Sequence, residues 1–133
     1  MDKLINEFMK NRGFVLIGAS ANKEKYGNVI LKMLSDADYK VIPINPKKDK
    51  IEGIDCYNNL ESVPQDTPYI NMVVPPKIGL KMVDSMKKKG CKIAWLQIGA
   101  ESDELVESLK KAEIEVIYGG PCILVALRTV DYK

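Results

Sequence analysis

Gly18, Ala19 and Ser20, followed by Lys25, Tyr26 and Gly27, form a loop between an apolar run at 14–17 and an amphipathic one at 29–34. Glycine lets a ligand approach the backbone closely, and the first turn of a following helix offers free N–H groups and a dipole that favours an anion. The chemistry this loop suits is phosphate binding; the plain alternative is a turn with an ordinary polar serine. The loop is neither a GxGxxG nor a GxxxxGK[ST], since only Gly-Ala-Ser and the later Gly27 are present.

A second turn, Asn45-Pro46-Lys47, stands where a dinucleotide-binding chain carries an acidic residue for the ribose hydroxyls. Here Lys47, Lys48 and Lys50 follow instead. Lysines at that place suit a phosphate on the adenosine ribose, as found in coenzyme A and NADP, with NADP the weaker fit without its glycine pattern. A solvated surface run is an equal reading for any one of them.

What is missing narrows the chemistry further. The chain has no histidine, which excludes imidazole acid–base catalysis, phosphohistidine and His-ligated metal. Its three cysteines, Cys56, Cys91 and Cys122, are too widely spaced for a CxxC motif, and an odd number argues against a disulfide framework. Glu101, Asp103 and Glu104 cluster, but they read as the acidic first turn of a helix. No catalytic constellation and no metal set emerges.

The elements that must position these loops alternate between strand and helix periods. Strands are expected at 14–18, 39–45, 69–74, 91–98 and 114–118, and helices at 25–37, 77–89, 101–112 and about 121–128. An amphipathic helix is expected over 1–12, with Leu4, Ile5, Phe8 and Met9 on one face. It could dock on a partner or a second copy, though packing on its own sheet is the simpler expectation. The segment 46–68 is the weakest reading, with one short strand at 51–54 and a poor helix at 58–63. Unbroken apolar strands are those of a parallel sheet covered on both faces, so the expectation is one doubly wound, three-layer α/β domain over 1–133. In such sheets ligands sit beyond the carboxyl ends of the strands. That singles out the residues after each strand, including Pro75-Pro76, Gly99-Ala100 and Gly119-Gly120.

A net charge of +2 is too small for a nucleic-acid footprint. Residues 1–50 carry ten basic and six acidic groups, so a small polyanion suits that half. No stretch reaches the ~20 apolar residues of a membrane span. With no signal-peptide pattern either, a cytoplasmic protein is expected.

The stretches "VLIGAS", "YKVIPINPK", "VVPP" and "IAWLQIGA", in this order and spacing, resemble the small stand-alone CoA-binding proteins. Those are similar to the Rossmann-like CoA-binding domain of the succinyl-CoA ligase α subunit, and the resemblance runs from about Phe14 to Arg128. It implies a ligand, coenzyme A or an acyl-CoA, whose diphosphate lies at Gly18-Ala19-Ser20 and the helix start. It implies further that Asn45-Pro46-Lys47 faces the adenosine and its phosphate and that Val74-Pro75-Pro76 forms an apolar wall. Leu96-Gln97-Ile98-Gly99 would border the pantetheine arm.

Cys122 falls where many stand-alone relatives carry a cysteine. It reads either as a small buried apolar side chain or as a thiol able to form a mixed disulfide with CoA. The charged residue that often precedes that cysteine is replaced here by the run "YGGPC". The ligase α subunit has a second domain with a phosphorylated histidine; this chain has no histidine, so ligase activity is not expected. The leading expectation is non-catalytic binding of CoA or an acyl-CoA, with a regulatory use or a protein partner open. The alternative is an NADP-dependent reductase or another nucleotide-using enzyme.

Overall fold

The computed structural model describes residues 1–129. Helix α1 (Asp2–Lys10) leads into β1 (Gly13–Ile17), α2 (Tyr26–Asp36) and β2 (Lys40–Ile44). A small antiparallel hairpin follows, β3 (Lys50–Ile51) with β4 (Ile54–Asp55), and then a single 3-10 turn, Leu60–Ser62. The rest is β5 (Tyr69–Met72), α3 (Pro76–Leu80), α4 (Val83–Lys88), β6 (Ile93–Leu96), α5 (Asp103–Lys111), β7 (Glu115–Ile117) and α6 (Ile123–Thr129). Five strands make one parallel sheet in the order β2-β1-β5-β6-β7. The chain steps outward from β1 to β2, then returns past β1 to β5, so strand order reverses between β1 and β5.

Both faces of the sheet are covered, which is why its strands are apolar at nearly every position. Val15, Ile17, Ile70, Met72, Ala94 and Leu96 point to one side, where Val83, Met86, Leu105 and Leu109 cover them from α4 and α5. Phe14, Leu16, Ile93 and Trp95 alternate to the other side, under Phe8, Met9, Ile30, Leu34, Ile123 and Ala126 of α1, α2 and α6. The result is the expected three-layer, doubly wound α/β fold. Phe8 packs edge-on to Trp95 (centroids 5.2 Å apart) and beside Phe14 and Tyr69, so α1 lies on its own sheet rather than standing free.

Three expectations change. The single helix expected over 77–89 is two, α3 and α4, separated at Lys81-Met82. Its apolar period runs on through the junction, where the backbone bonds tighten to the i→i+3 kind, Lys81 N donating to the Ile78 carbonyl (3.1 Å) and Met82 N to the Gly79 carbonyl (2.9 Å). The strand expected at 51–54 is instead the β3–β4 hairpin, turned by Glu52 (φ 52°) and Gly53 (φ 76°). Positive φ at both central residues is the two-residue hairpin turn that matches strand twist. The helix expected at 58–63 is only the 3-10 turn, capped by Asn59, whose Oδ1 accepts from Ser62 N at 2.8 Å.

Candidate functional site

At the reversal point the carboxyl ends of β1, β2 and β5 open into a cleft of about 370 Å³. Gly18 and Ala19 line it from the first loop, Pro46 from the second and Val74 from the third. The first loop is fixed by close backbone packing. Gly18 has φ +102°, and a Cβ on it would lie 2.6 Å from Val73 Cγ2. A Cβ on Gly27 would lie 2.0 Å from the carbonyl oxygen of Gly18, so the first turn of α2 is pressed against the end of β1. Lys25 precedes that turn in an extended conformation and gives it no side-chain cap, which leaves its first N–H groups to the loop.

Side-chain amides tie the loops to one another. Asn28 Nδ2 donates to the Ser20 carbonyl at 2.9 Å, and Asn45 Nδ2 donates to the Ala19 carbonyl at 2.9 Å. Asn45 Oδ1 in turn accepts from Lys47 N (2.8 Å) and Lys48 N (3.1 Å), which sets the turn that presents both lysines. Asn58 Nδ2 donates to the Asn45 carbonyl at 3.0 Å and brings in the third strip of chain. Ser20 Oγ accepts from Asn22 N at 3.1 Å. The side chains of Lys25, Lys47 and Lys48 are exposed around this rim.

The expected site residues do not all meet in the cleft. Pro75 caps α3 and Pro76 opens it, behind Val74. Leu96 (1% exposed) is core, packed under α4 and α5, and Gln97 (1%) is buried on the opposite face. Ile98, by contrast, is 74% exposed, and Gly99 (φ +94°) leaves open space where a side chain would stand. Cys122 lies beyond them, half-buried, with its Sγ in hydrogen-bond contact with the Tyr26 hydroxyl. Burial raises the Tyr26 phenol above its ordinary range, and the bond to Cys122 acts in the same direction, so the hydroxyl keeps its proton.

The chain around Cys122 is held from β6 and its loop. Trp95 Nε1 donates to the Pro121 carbonyl at 2.9 Å, Ile123 N donates to Gln97 Oε1 at 3.3 Å, and Gly119 N donates to Glu101 Oε2 at 2.7 Å. Glu101 is thus a loop anchor, while Asp103 and Glu104 occupy the first turn of α5.

Part of the cleft escaped the sequence reading. Asn58, Asn59, Leu60 and Glu61 line it from the 3-10 turn and the residues before it, and Ile78, Lys81, Met82 and Ser85 line it from the α3–α4 segment. The signals were an Asn-Asn pair after Tyr57 and the polar face of the α3–α4 segment, neither specific in isolation.

A parallel sheet of this strand order with a glycine-pressed loop at its reversal point is a Rossmann-like α/β fold. The chain belongs to the CoA binding domain family, which it matches over residues 12–128. It is 33% identical over 126 residues to the ADP-forming acetate–CoA ligase of Methanocaldococcus jannaschii, a match covering 89% of this chain and 18% of the ligase. It thus spans about a fifth of the length of that relative, and 25% of the α subunit of an ADP-forming acetate–CoA ligase from Pyrococcus furiosus (28% identical, 86% of this chain). Among solved structures, a conserved hypothetical protein from Pyrococcus furiosus superposes with a TM-score of 0.80 at 45% identity, covering 86% of this chain and 97% of the other. Among the described residues no helix is long and apolar enough to cross a membrane, and no group of metal-ligating side chains is found.

Proposed function

We propose that this chain binds coenzyme A or an acyl-CoA without transforming it, in the cleft between the ends of β1, β2 and β5 and along the edge beyond. The observation that carries the reading is the seating of Gly27 on the carbonyl of Gly18, which brings the start of α2, without a side-chain cap, up against the Gly18-Ala19-Ser20 turn, the arrangement that suits a diphosphate. A cleft of about 370 Å³ suits the nucleotide end, with Val74, Ile78 and Met82 as apolar walls for a base. The remainder of so long a ligand would run over Ile98 and Gly99 toward Gly119 and Gly120. Lys47 and Lys48, held on the Asn45 turn, are the groups offered to a ribose phosphate.

Calorimetric titration with CoA, acetyl-CoA, 3′-dephospho-CoA, NADP and NAD tests this. Saturable CoA binding that weakens about tenfold or more without the 3′-phosphate is the expected result, since a charge-assisted contact contributes ~1.5–3 kcal/mol. NADP bound in preference to CoA would overturn the reading in favour of a reductase.

A further inference from the structure

We propose that Asn71 and Gln97 hold internal water between the neighbouring strands β5 and β6, and that this water ties the start of α6 to the middle of the sheet. The site lies apart from the cleft and stands whether or not CoA binds there. Asn71 is fully buried (0% exposed), yet neither its Nδ2 nor its Oδ1 has a hydrogen-bond partner among the described residues. Gln97 is 1% exposed; its Oε1 accepts from Ile123 N at 3.3 Å, while its Nε2 is likewise without a partner. The Ile123 bond fixes which end of the Gln97 carboxamide is oxygen and leaves the amide hydrogens as the unclaimed end. Buried polar groups are as a rule hydrogen-bonded, so three unclaimed atoms in one layer call for a common partner.

Strand register brings them together. Asn71 stands opposite Trp95 in the β5–β6 ladder, and Gln97 follows Trp95 by two residues, its N–H still bonded to the Met72 carbonyl. Both carboxamides therefore leave the sheet on the same face. Strand spacing and rise put their Cα atoms about 8 Å apart. Two hydrogen bonds in series through a water span about 5.5–6 Å, which side chains of this length can close. Their neighbours on that face offer nothing else. Leu16 flanks Asn71 on β1, Tyr69 OH donates to Glu7, and Trp95 Nε1 donates to the Pro121 carbonyl.

The donor set selects the ligand. Two N–H2 groups and one carbonyl oxygen, none charged, suit a small molecule that both accepts and donates. Water accepts from the amides and donates to Asn71 Oδ1. Chloride would satisfy the amides but leave Asn71 Oδ1 facing an anion, and a metal cation would meet one oxygen between two donors. Through Gln97 the chain of bonds then runs from Ile123 N, at the start of α6, to Asn71 on β5. A helix that closes the carboxyl edge is thus moored beneath by water.

Wild-type crystals diffracting well enough to show ordered water, with water–amide cross-relaxation in 15N-labelled protein, test the site. The expected result is a water within hydrogen-bond distance of Asn71 Oδ1 and Gln97 Nε2, with cross-peaks from water to both side-chain N–H2 groups. In Asn71→Leu the cross-peak at Gln97 should disappear, and the Ile123 amide should exchange several-fold faster while that of Leu16 keeps its rate. A direct Asn71–Gln97 hydrogen bond in the crystal, a site that takes bromide, or no water cross-peak at either carboxamide overturns the proposal. An Ile123 amide unchanged in Asn71→Leu overturns the mooring of α6. Where Asn71→Leu does not fold, the wild-type crystal and cross-peaks decide the water site by themselves.

Discussion

At the amino edge of the sheet the turns after α2, α4 and α5 are one turn used three times. Tyr39 N donates to the Leu34 carbonyl, Cys91 N to Met86 and Ile114 N to Leu109, at 2.9–3.0 Å, and each donor residue is itself buried. That is the helix-closing arrangement in which one residue takes a left-handed conformation. Here that residue is Asp38, Gly90 or Glu113, and side chains are accepted at two of the three places despite positive φ. The carboxyl edge follows another rule. Its positive-φ positions are Gly18, Gly99, Gly119 and Gly120, with φ from +86° to +121°, beyond the region that Asp38 and Glu113 occupy. Turns that only return the chain tolerate a side chain, whereas this edge is kept clear of them.

That contrast can be broken or sharpened experimentally. The largest effect is expected from Gly27→Ala, because its Cβ would meet the backbone oxygen of Gly18 rather than a movable side chain. Urea unfolding should show a loss of about 3 kcal/mol, the top of the usual range for overpacking, with CoA affinity lost alongside. Gly99→Ala meets no neighbour, so its cost is conformational; about 1–2 kcal/mol in stability is expected, with a fall in CoA affinity read by calorimetry. Glu113→Gly, at the opposite edge, should raise stability by about 1 kcal/mol by relieving a left-handed residue and leave CoA binding as it was. A loss of CoA binding in that variant would show that the two edges are not independent.

The smallest effect concerns Glu7, whose carboxylate accepts from Lys92 Nζ (2.7 Å) and Tyr69 OH (2.9 Å). These bonds, that from Lys92 first, hold its pKa below the ordinary 4.5. A lowered carboxylate pKa means a contribution present above pH 4.5 and lost as pH falls below it. Thermal midpoints of the wild type should therefore approach those of Glu7→Gln between pH 5 and pH 3, and a gap that stays constant would refute the assignment.

Much of the sheet could be read in advance because burial on both faces leaves its mark on every strand residue. Val15 and Leu16 point to opposite layers and both must be apolar. The place of the first loop was legible as well, since Gly18 and Gly27 bracket the joint between β1 and α2. The segment 46–68 was not. Its hairpin depends on two positive-φ residues of which only Gly53 announces itself, and its 3-10 turn rests on one asparagine cap. The α3–α4 break was hidden for a different reason: helical period continues through it, and Lys81 and Met82 carry no glycine or proline to mark it, so only the folded chain shows where one helix ends and the next begins. The placement of Asn58 and Met82 on one cleft follows from those tertiary facts, so local pattern could not supply it.

The break at Lys81-Met82 also bears on how the cleft would answer a ligand. Ile78 stands on a helix of only five residues, too short to be stable apart from its neighbours, and joined to α4 without being continuous with it. What keeps that helix in place is tertiary, Gly79 lying against Leu105 of α5 and Met72 of β5, while α4 is seated on the sheet through Val83 and Met86. A ligand resting on Ile78 would add one more such contact, and occupancy should register there as slowed amide exchange in α3.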